Sequence, residues 1–170
     1  SKSKVISVIG DFNRLEIKSN SMDFAVAWGS LHHSYQLIST LTECRRVLKP
    51  NGHLVVVERA HNNCTPESEI DRMLNVKYDE DFLRKTYRDP NMTLSRRDNG
   101  EHEYRYQEWS HAFSSAGFHM VNAAVIRDQS GKDKATTNDA GLPEIFIDSK
   151  LGGYLSSKVG YVLAATKDQQ

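Results

Sequence analysis

The chain has 170 residues, enough for one domain with a real core and too few for two by the usual length of about 100–200 residues per domain. Lysine plus arginine equals aspartate plus glutamate at 22 each, so no global field gathers nucleic acid or an anionic membrane, and neither is expected as a partner. No apolar run approaches the roughly 20 residues of a membrane span, and Ser1 to Asp11 lacks the basic start and apolar middle of a signal peptide; the chain reads as soluble and cytoplasmic.

Val5 to Ile9 is a short, β-branched, apolar run closed by Gly10-Asp11, the pattern of a strand buried on both faces of a parallel sheet. Phe24 to Trp28 has the same character after the turn-forming Asn20 to Asp23. From Tyr35 to Leu48, Leu37, Ile38, Leu41, Cys44, Val47 and Leu48 recur at spacings of three and four, which predicts a helix with one apolar face. Lys49-Pro50-Asn51-Gly52 stops that helix, and His53 to Arg59 follows as a third buried strand. Strand, helix, turn and strand in this order form a βαβ unit, so the fold class is α/β.

Residues 61–103 are charge-dense and only weakly amphipathic, with short stripes at Ile70, Met73 and Leu74 and at Phe82 and Leu83, and read as an inserted cap. Tyr104 to Ala116 is helical, Gly117 ends it, and Phe118 to Ile126 is a strand. Residues 127–158 form a second, polar insertion with one apolar stretch, Leu142 to Ile147, before the last strand Val159 to Ala165.

The chemistry-bearing stretch is Gly10-Asp11, then Asp23-Phe24-Ala25-Val26, then Leu31-His32-His33, then Arg46 to Leu54, with Trp109, Phe113, Ala116, Gly117 and Phe118 later. In that order and spacing it resembles the small-molecule type of class I S-adenosylmethionine-dependent methyltransferases, over most of residues 5–58 and 104–165. The resemblance implies a Rossmann-like, mostly parallel sheet with a final antiparallel strand, and S-adenosylmethionine as cofactor with a small-molecule methyl acceptor. It assigns cofactor contacts to Asp11, Phe12, Trp28 and Gly29: the Asp11 carboxylate on the adenine amino group with Phe12 beside the base, and the strand-exit backbone at the methionine end. His32 and His33 then lie near the acceptor as candidates to hydrogen-bond or deprotonate it. Each also suits the plainer role of a helix-start histidine bonded to backbone.

Tyr78, Tyr87, Tyr104, Tyr106 and Trp109 with Arg84, Arg88 and Arg105 are further candidates for an acceptor pocket. Asp23 and Glu58 read as strand-entry and strand-end residues, not as a catalytic pair. The seven histidines show no metal-ligand spacing, and Cys44 and Cys64 form no ligand pair, so no metal is expected.

The family's opening glycine-rich loop has no counterpart, since no Gly-X-Gly occurs. If Val5 to Ile9 is the family's third strand, its first two are missing, and the expectation is a domain truncated at its N-terminus whose strand Phe24 to Trp28 has an open edge. Two expectations follow: weak or absent cofactor binding by this chain, and a homodimer through that edge or by strand exchange. A methyltransferase-like module without catalysis, serving oligomerisation or partner binding, is the alternative.

Overall fold

The computed structural model describes residues 5–128, 141–147 and 158–165. Its centre is a five-stranded sheet of β1 (Met22–Trp28), β2 (Leu48–Glu58), β3 (Phe118–Asp128), β4 (Glu144–Ile147) and β5 (Val159–Ala165), in the order β1-β2-β5-β3-β4. β1 pairs with β2 in parallel and β3 with β4 in parallel, while β5 runs antiparallel to both β2 and β3. Four strands therefore point one way and only β5 opposes them.

The helices are α1 (Leu37–Val47), α2 (Glu67–Leu74), α3 (Glu80–Tyr87) and α4 (Tyr106–Ser115), preceded by a single 3₁₀ turn at Leu31–His33. The apolar stripe of α1 buries Leu37, Leu41 and Val47, and α4 buries Trp109, Ala112 and Phe113. Leu37, Leu41, Trp109, Ala112 and Phe113 join Leu54 and Val56 of β2 and Tyr161 and Leu163 of β5 in one core. Burying a leucine or phenylalanine contributes about 1.5–3 kcal/mol, so this helix–sheet interface is the main source of stability.

β2 begins as soon as α1 ends: Leu48 pairs with Met22, the register breaks, and pairing resumes at Phe24 with His53. The intervening turn uses Asn51 at φ +63°. A side chain on Gly52 would meet the Lys49 carbonyl at 2.9 Å and those of Asp23 and Met22 at 3.2 Å, so only glycine lets the turn lie against β1.

Val5 to Ile9 corrects the sequence reading, because it forms no strand. Among the described residues nothing pairs with it, and Ile9 is fully exposed. An apolar, β-branched run becomes a strand only where a neighbouring ladder takes its backbone groups. β1 is accordingly an outer strand of the described sheet, and Phe24, Val26 and Trp28 stand about half exposed on one of its faces.

The segment 61–103 carries α2 and α3, whose Ile70, Leu74 and Leu83 are buried outside the main core. Polar bonds tie it to the body. Buried Glu101 pairs with Arg59 at 2.7 Å and with Arg96 at 2.8 Å, and buried Glu103 pairs with Arg96, with His61 at 2.5 Å and with Arg59 at 3.5 Å. Of the second insertion, 141–147 is described and supplies β4; the rest of 127–158 lies largely outside the described residues. No helix among the described residues is long and apolar enough to cross a membrane.

Candidate functional site

Because β1 and β2 run in parallel, their carboxyl ends emerge side by side, the place where ligands bind in open α/β sheets. β1 ends at Trp28, and Gly29, at φ +52°, turns the chain while its N–H donates to the Val57 carbonyl at 2.8 Å. The 3₁₀ turn that follows is built on Glu58, the last residue of β2. One oxygen of the Glu58 carboxylate accepts the Ser30 and Leu31 amides at 2.6 and 2.7 Å, and the other lies 2.8 Å from His32 Nδ1.

Glu58 is only 1% exposed. Burial pushes its carboxyl up, but the His32 contact and the two amides outweigh it, so Glu58 is held below the usual carboxylate range. In the neutral imidazole, an ionised acceptor facing Nδ1 favours the proton on that nitrogen and leaves Nε2 as the acceptor. The His33 ring lies 4.3 Å from that of His32, centroid to centroid. Burial and then the neighbouring His32 lower its pKa from the ordinary histidine value.

These groups line a cavity of about 450 Å³ with Gly29, Arg59, Tyr78, Phe82, Asn99, Glu101 and Lys158. The cap supplies its far wall: Tyr78 and Phe82 stack at 4.1 Å and 17°, the Tyr78 hydroxyl donates to Glu101, and Asn99 donates to Tyr78 at 3.1 Å. The cap is also bonded to the 3₁₀ turn, since the His102 amide donates to the His32 carbonyl at 2.8 Å. A larger groove of about 630 Å³ runs between the start of α1 and α4, but no strand residue lines it and its walls are mainly apolar. The groove also carries Glu108 and His111, but the strand-exit cavity is the one that lies at the parallel strand ends and holds a histidine bonded to a buried carboxylate.

The structure places some of the residues singled out from the sequence on this wall. His32, His33 and Gly29 line the cavity, as does Tyr78 of the aromatic candidates. Trp28 stands half exposed just before Gly29. Tyr106 and Trp109 belong to the core, Tyr104 lines the larger groove, and Arg84 and Arg105 pair with Asp81 and Glu67. Glu58, read from sequence as a strand-end residue, holds the whole turn; a carboxylate closing an otherwise apolar strand beside a His-His turn was the available signal.

Asp11 and Phe12 lie in the loop before β1. Asp11 Oδ1 accepts the Asn13 amide at 2.8 Å and the Asn13 side chain at 3.0 Å. Asn13 in turn accepts from Thr40, which contacts Ser34 at 2.7 Å. Arg46 clamps the same loop: Nη2 donates to the Leu15 and Ile17 carbonyls at 3.0 and 2.9 Å, Nη1 reaches Ser19 at 2.8 Å, and Glu43 holds the guanidinium. Among the described residues no cluster of three His, Cys, Asp or Glu side chains suits a metal ion.

Residues 1–56 match the family described as "Methyltransferase domain". No curated protein matches the sequence. Among solved structures, the chain is similar to a SAM-dependent methyltransferase of Methanosarcina mazei, with 17% identity, a TM-score of 0.53, and coverage of 94% of this chain and 66% of that one. It is also similar to a SAM-dependent methyltransferase of Thermotoga maritima, at 14% identity and TM-score 0.54, covering 95% of this chain and 65% of that one. The chain thus spans just under two thirds of the length of both relatives. Residues 1–56 thus match the methyltransferase domain family, and the described sheet and helices share the α/β fold of these SAM-dependent methyltransferases.

Proposed function

We propose that the protein transfers a methyl group from S-adenosylmethionine to a small-molecule acceptor seated in the cavity between the β1–β2 exits and the cap. The observation that carries this reading is the convergence of Gly29, His32 and Glu58 at those exits, closed over by Tyr78 and Phe82. When bound, the cofactor supplies an electrophilic methyl group on a sulfonium. The protein's contribution is to hold the acceptor in line and exclude water, which accounts for most of the rate in such transfers.

The residues present suit the cofactor's adenine side. Asp11 carries both its hydrogen bonds on Oδ1, leaving Oδ2 to accept from an amino group, and Phe12 lies beside it, about a third exposed. The Gly29 backbone and Trp28 form the strand-exit wall for the methionine end. The loop bearing Asp11 is held in place by Arg46. A homodimer through the open edge of β1 belongs to the same proposal, supported by the half-exposed Phe24, Val26 and Trp28.

The test is calorimetric titration of the 170-residue chain with S-adenosylmethionine and S-adenosylhomocysteine, with mass in solution measured on the same sample. Saturable binding that Asp11→Ala abolishes supports the assignment. Folded protein that binds neither, the outcome expected from the missing glycine-rich loop, overturns the assignment for this chain and favours the non-catalytic module.

A further inference from the structure

The walls of the cavity constrain the acceptor beyond its being small. Two carboxylates, Glu58 and Glu101, face two cations, Arg59 and Lys158, so the lining has no net charge to offer. The carboxylates are also engaged: Glu58 accepts from three donors, and Glu101 accepts from Arg59, Arg96 and Tyr78. With Arg59 also paired to Glu101 and Glu103, most of the charge in the wall is already matched within the protein, so a charged substrate gains little for the hydration it loses and a neutral one is favoured. The stacked Tyr78–Phe82 pair offers an aromatic platform on the cap side.

The opposite wall offers a positioned proton acceptor. His32 is nearly buried, its Nδ1 is held by Glu58, and its carbonyl is fixed by His102, so the ring is held in one orientation, and in the neutral imidazole the Glu58 carboxylate favours the proton on Nδ1. A neutral amine attacks with its own lone pair and needs no base, whereas a phenolic hydroxyl becomes a good nucleophile only as its proton leaves. Building a carboxylate-supported imidazole into the cavity therefore selects hydroxyl chemistry.

Resting on the methyl-transfer reading, we propose that the acceptor is a neutral hydroxyl-bearing aromatic compound, that His32 Nε2 receives its hydroxyl proton, and that Glu58 is the positioning residue for His32. The O–H proton passes to Nε2, and the imidazolium so formed is compensated by Glu58. The phenolic oxygen bonds to the methyl carbon as that carbon's bond to the sulfonium sulfur breaks, the electron pair going to sulfur. The imidazolium then returns its proton to solvent.

The test needs no cofactor. The chain is titrated with 4-nitrophenol in buffer below that phenol's own pKa, and the visible band of the phenolate is followed. The expected result is saturable binding with the phenolate band in the wild type, and at least a tenfold smaller ionised fraction in His32→Gln at equal occupancy. Glu58→Gln should give the same spectral loss, because an amide donor facing Nδ1 reverses the tautomer and leaves Nε2 a donor. Thermal melts by circular dichroism confirm that both variants are folded. No saturable binding, a probe that stays neutral in the wild type, or an unchanged phenolate band in either folded variant overturns the proposal. Ionised probe in a chain that takes no S-adenosylmethionine would sink the methyl-transfer reading while leaving the proton acceptor in place.

Discussion

The indole N–H of Trp109 donates to the backbone carbonyl of Arg59 at 3.0 Å, so the deepest aromatic residue of the core also fixes the point where β2 leaves the sheet. Trp109 is packed among Tyr104, Phe113 and Tyr161, and Arg59 is the residue after Glu58. Core packing and site geometry are therefore joined through one hydrogen bond.

Trp109→Phe keeps most of the packing and removes that bond, leaving a carbonyl without this donor. A loss of about 1–3 kcal/mol is expected. Trp109→Ala adds a cavity and should cost about 3–5 kcal/mol. Urea unfolding followed by circular dichroism measures both; a Trp109→Phe midpoint equal to the wild type would show that the bond contributes nothing.

Acid should loosen the cap before it unfolds an ordinary domain. Burial raises the Glu103 carboxyl, but the His61 hydrogen bond and the charges of Arg59 and Arg96 more than reverse this and hold it at about 2. A carboxylate depressed in the folded state adds stability that is fully present above its unfolded value of about 4.3 and is lost as pH falls through the folded value. The window is thus roughly pH 5 to 2, and the contribution is on the order of 3 kcal/mol. Stability measured across that range should fall steeply in the wild type and more gently in Glu103→Gln, which starts lower at neutral pH. Parallel slopes would show that Glu103 is not the group responsible.

The sheet was legible where an apolar run also finds a ladder beside it. Phe24 to Trp28, His53 to Arg59 and Val159 to Ala165 are apolar runs that pair as such runs should, and the stripe from Leu37 to Val47 packs on them. Val5 to Ile9 has the same composition but no ladder beside it, which composition cannot reveal. His32 and His33 were visible as a turn at a strand exit. Glu58 was not, because its role depends on parallel pairing that places the end of β2 beside the turn after β1. The cap's attachment was equally hidden, since Arg59, Arg96, Glu101 and Glu103 are ordinary surface residues until they are brought together.

The loop bearing Asp11 and Phe12 depends on Arg46, which donates to two loop carbonyls and the Ser19 hydroxyl at once. Lysine has the charge but not the planar fork needed for this set of bonds. Arg46→Lys should therefore behave nearly as Arg46→Ala: faster limited proteolysis between residues 11 and 20, and at least a fivefold weaker affinity for any ligand contacting Asp11, with the rest of the fold intact. Cleavage of Arg46→Lys at the wild-type rate would mean that Glu43, which accepts the Leu15 amide at 2.7 Å, holds the loop without help.

β1 has β2 on one side and no strand on the other among the described residues, and Phe24, Val26 and Trp28 share its half-exposed face. An open edge of unpaired backbone groups beside an apolar face is a template for strand addition, and a second copy is the partner always present in a pure sample. Solution mass should therefore rise with concentration, and Trp28 emission should shift to the blue as assembly covers it. Using Trp109→Phe as the background leaves Trp28 as the chain's one indole, so the signal reports the edge alone. Val26→Lys puts a charge at the middle of the face without touching the buried side of β1, and should weaken assembly at least tenfold while leaving the monomer's melting temperature within a few degrees. A wild-type chain that stays monomeric with an unshifted Trp28 emission at high concentration would show that the edge is tolerated as it stands.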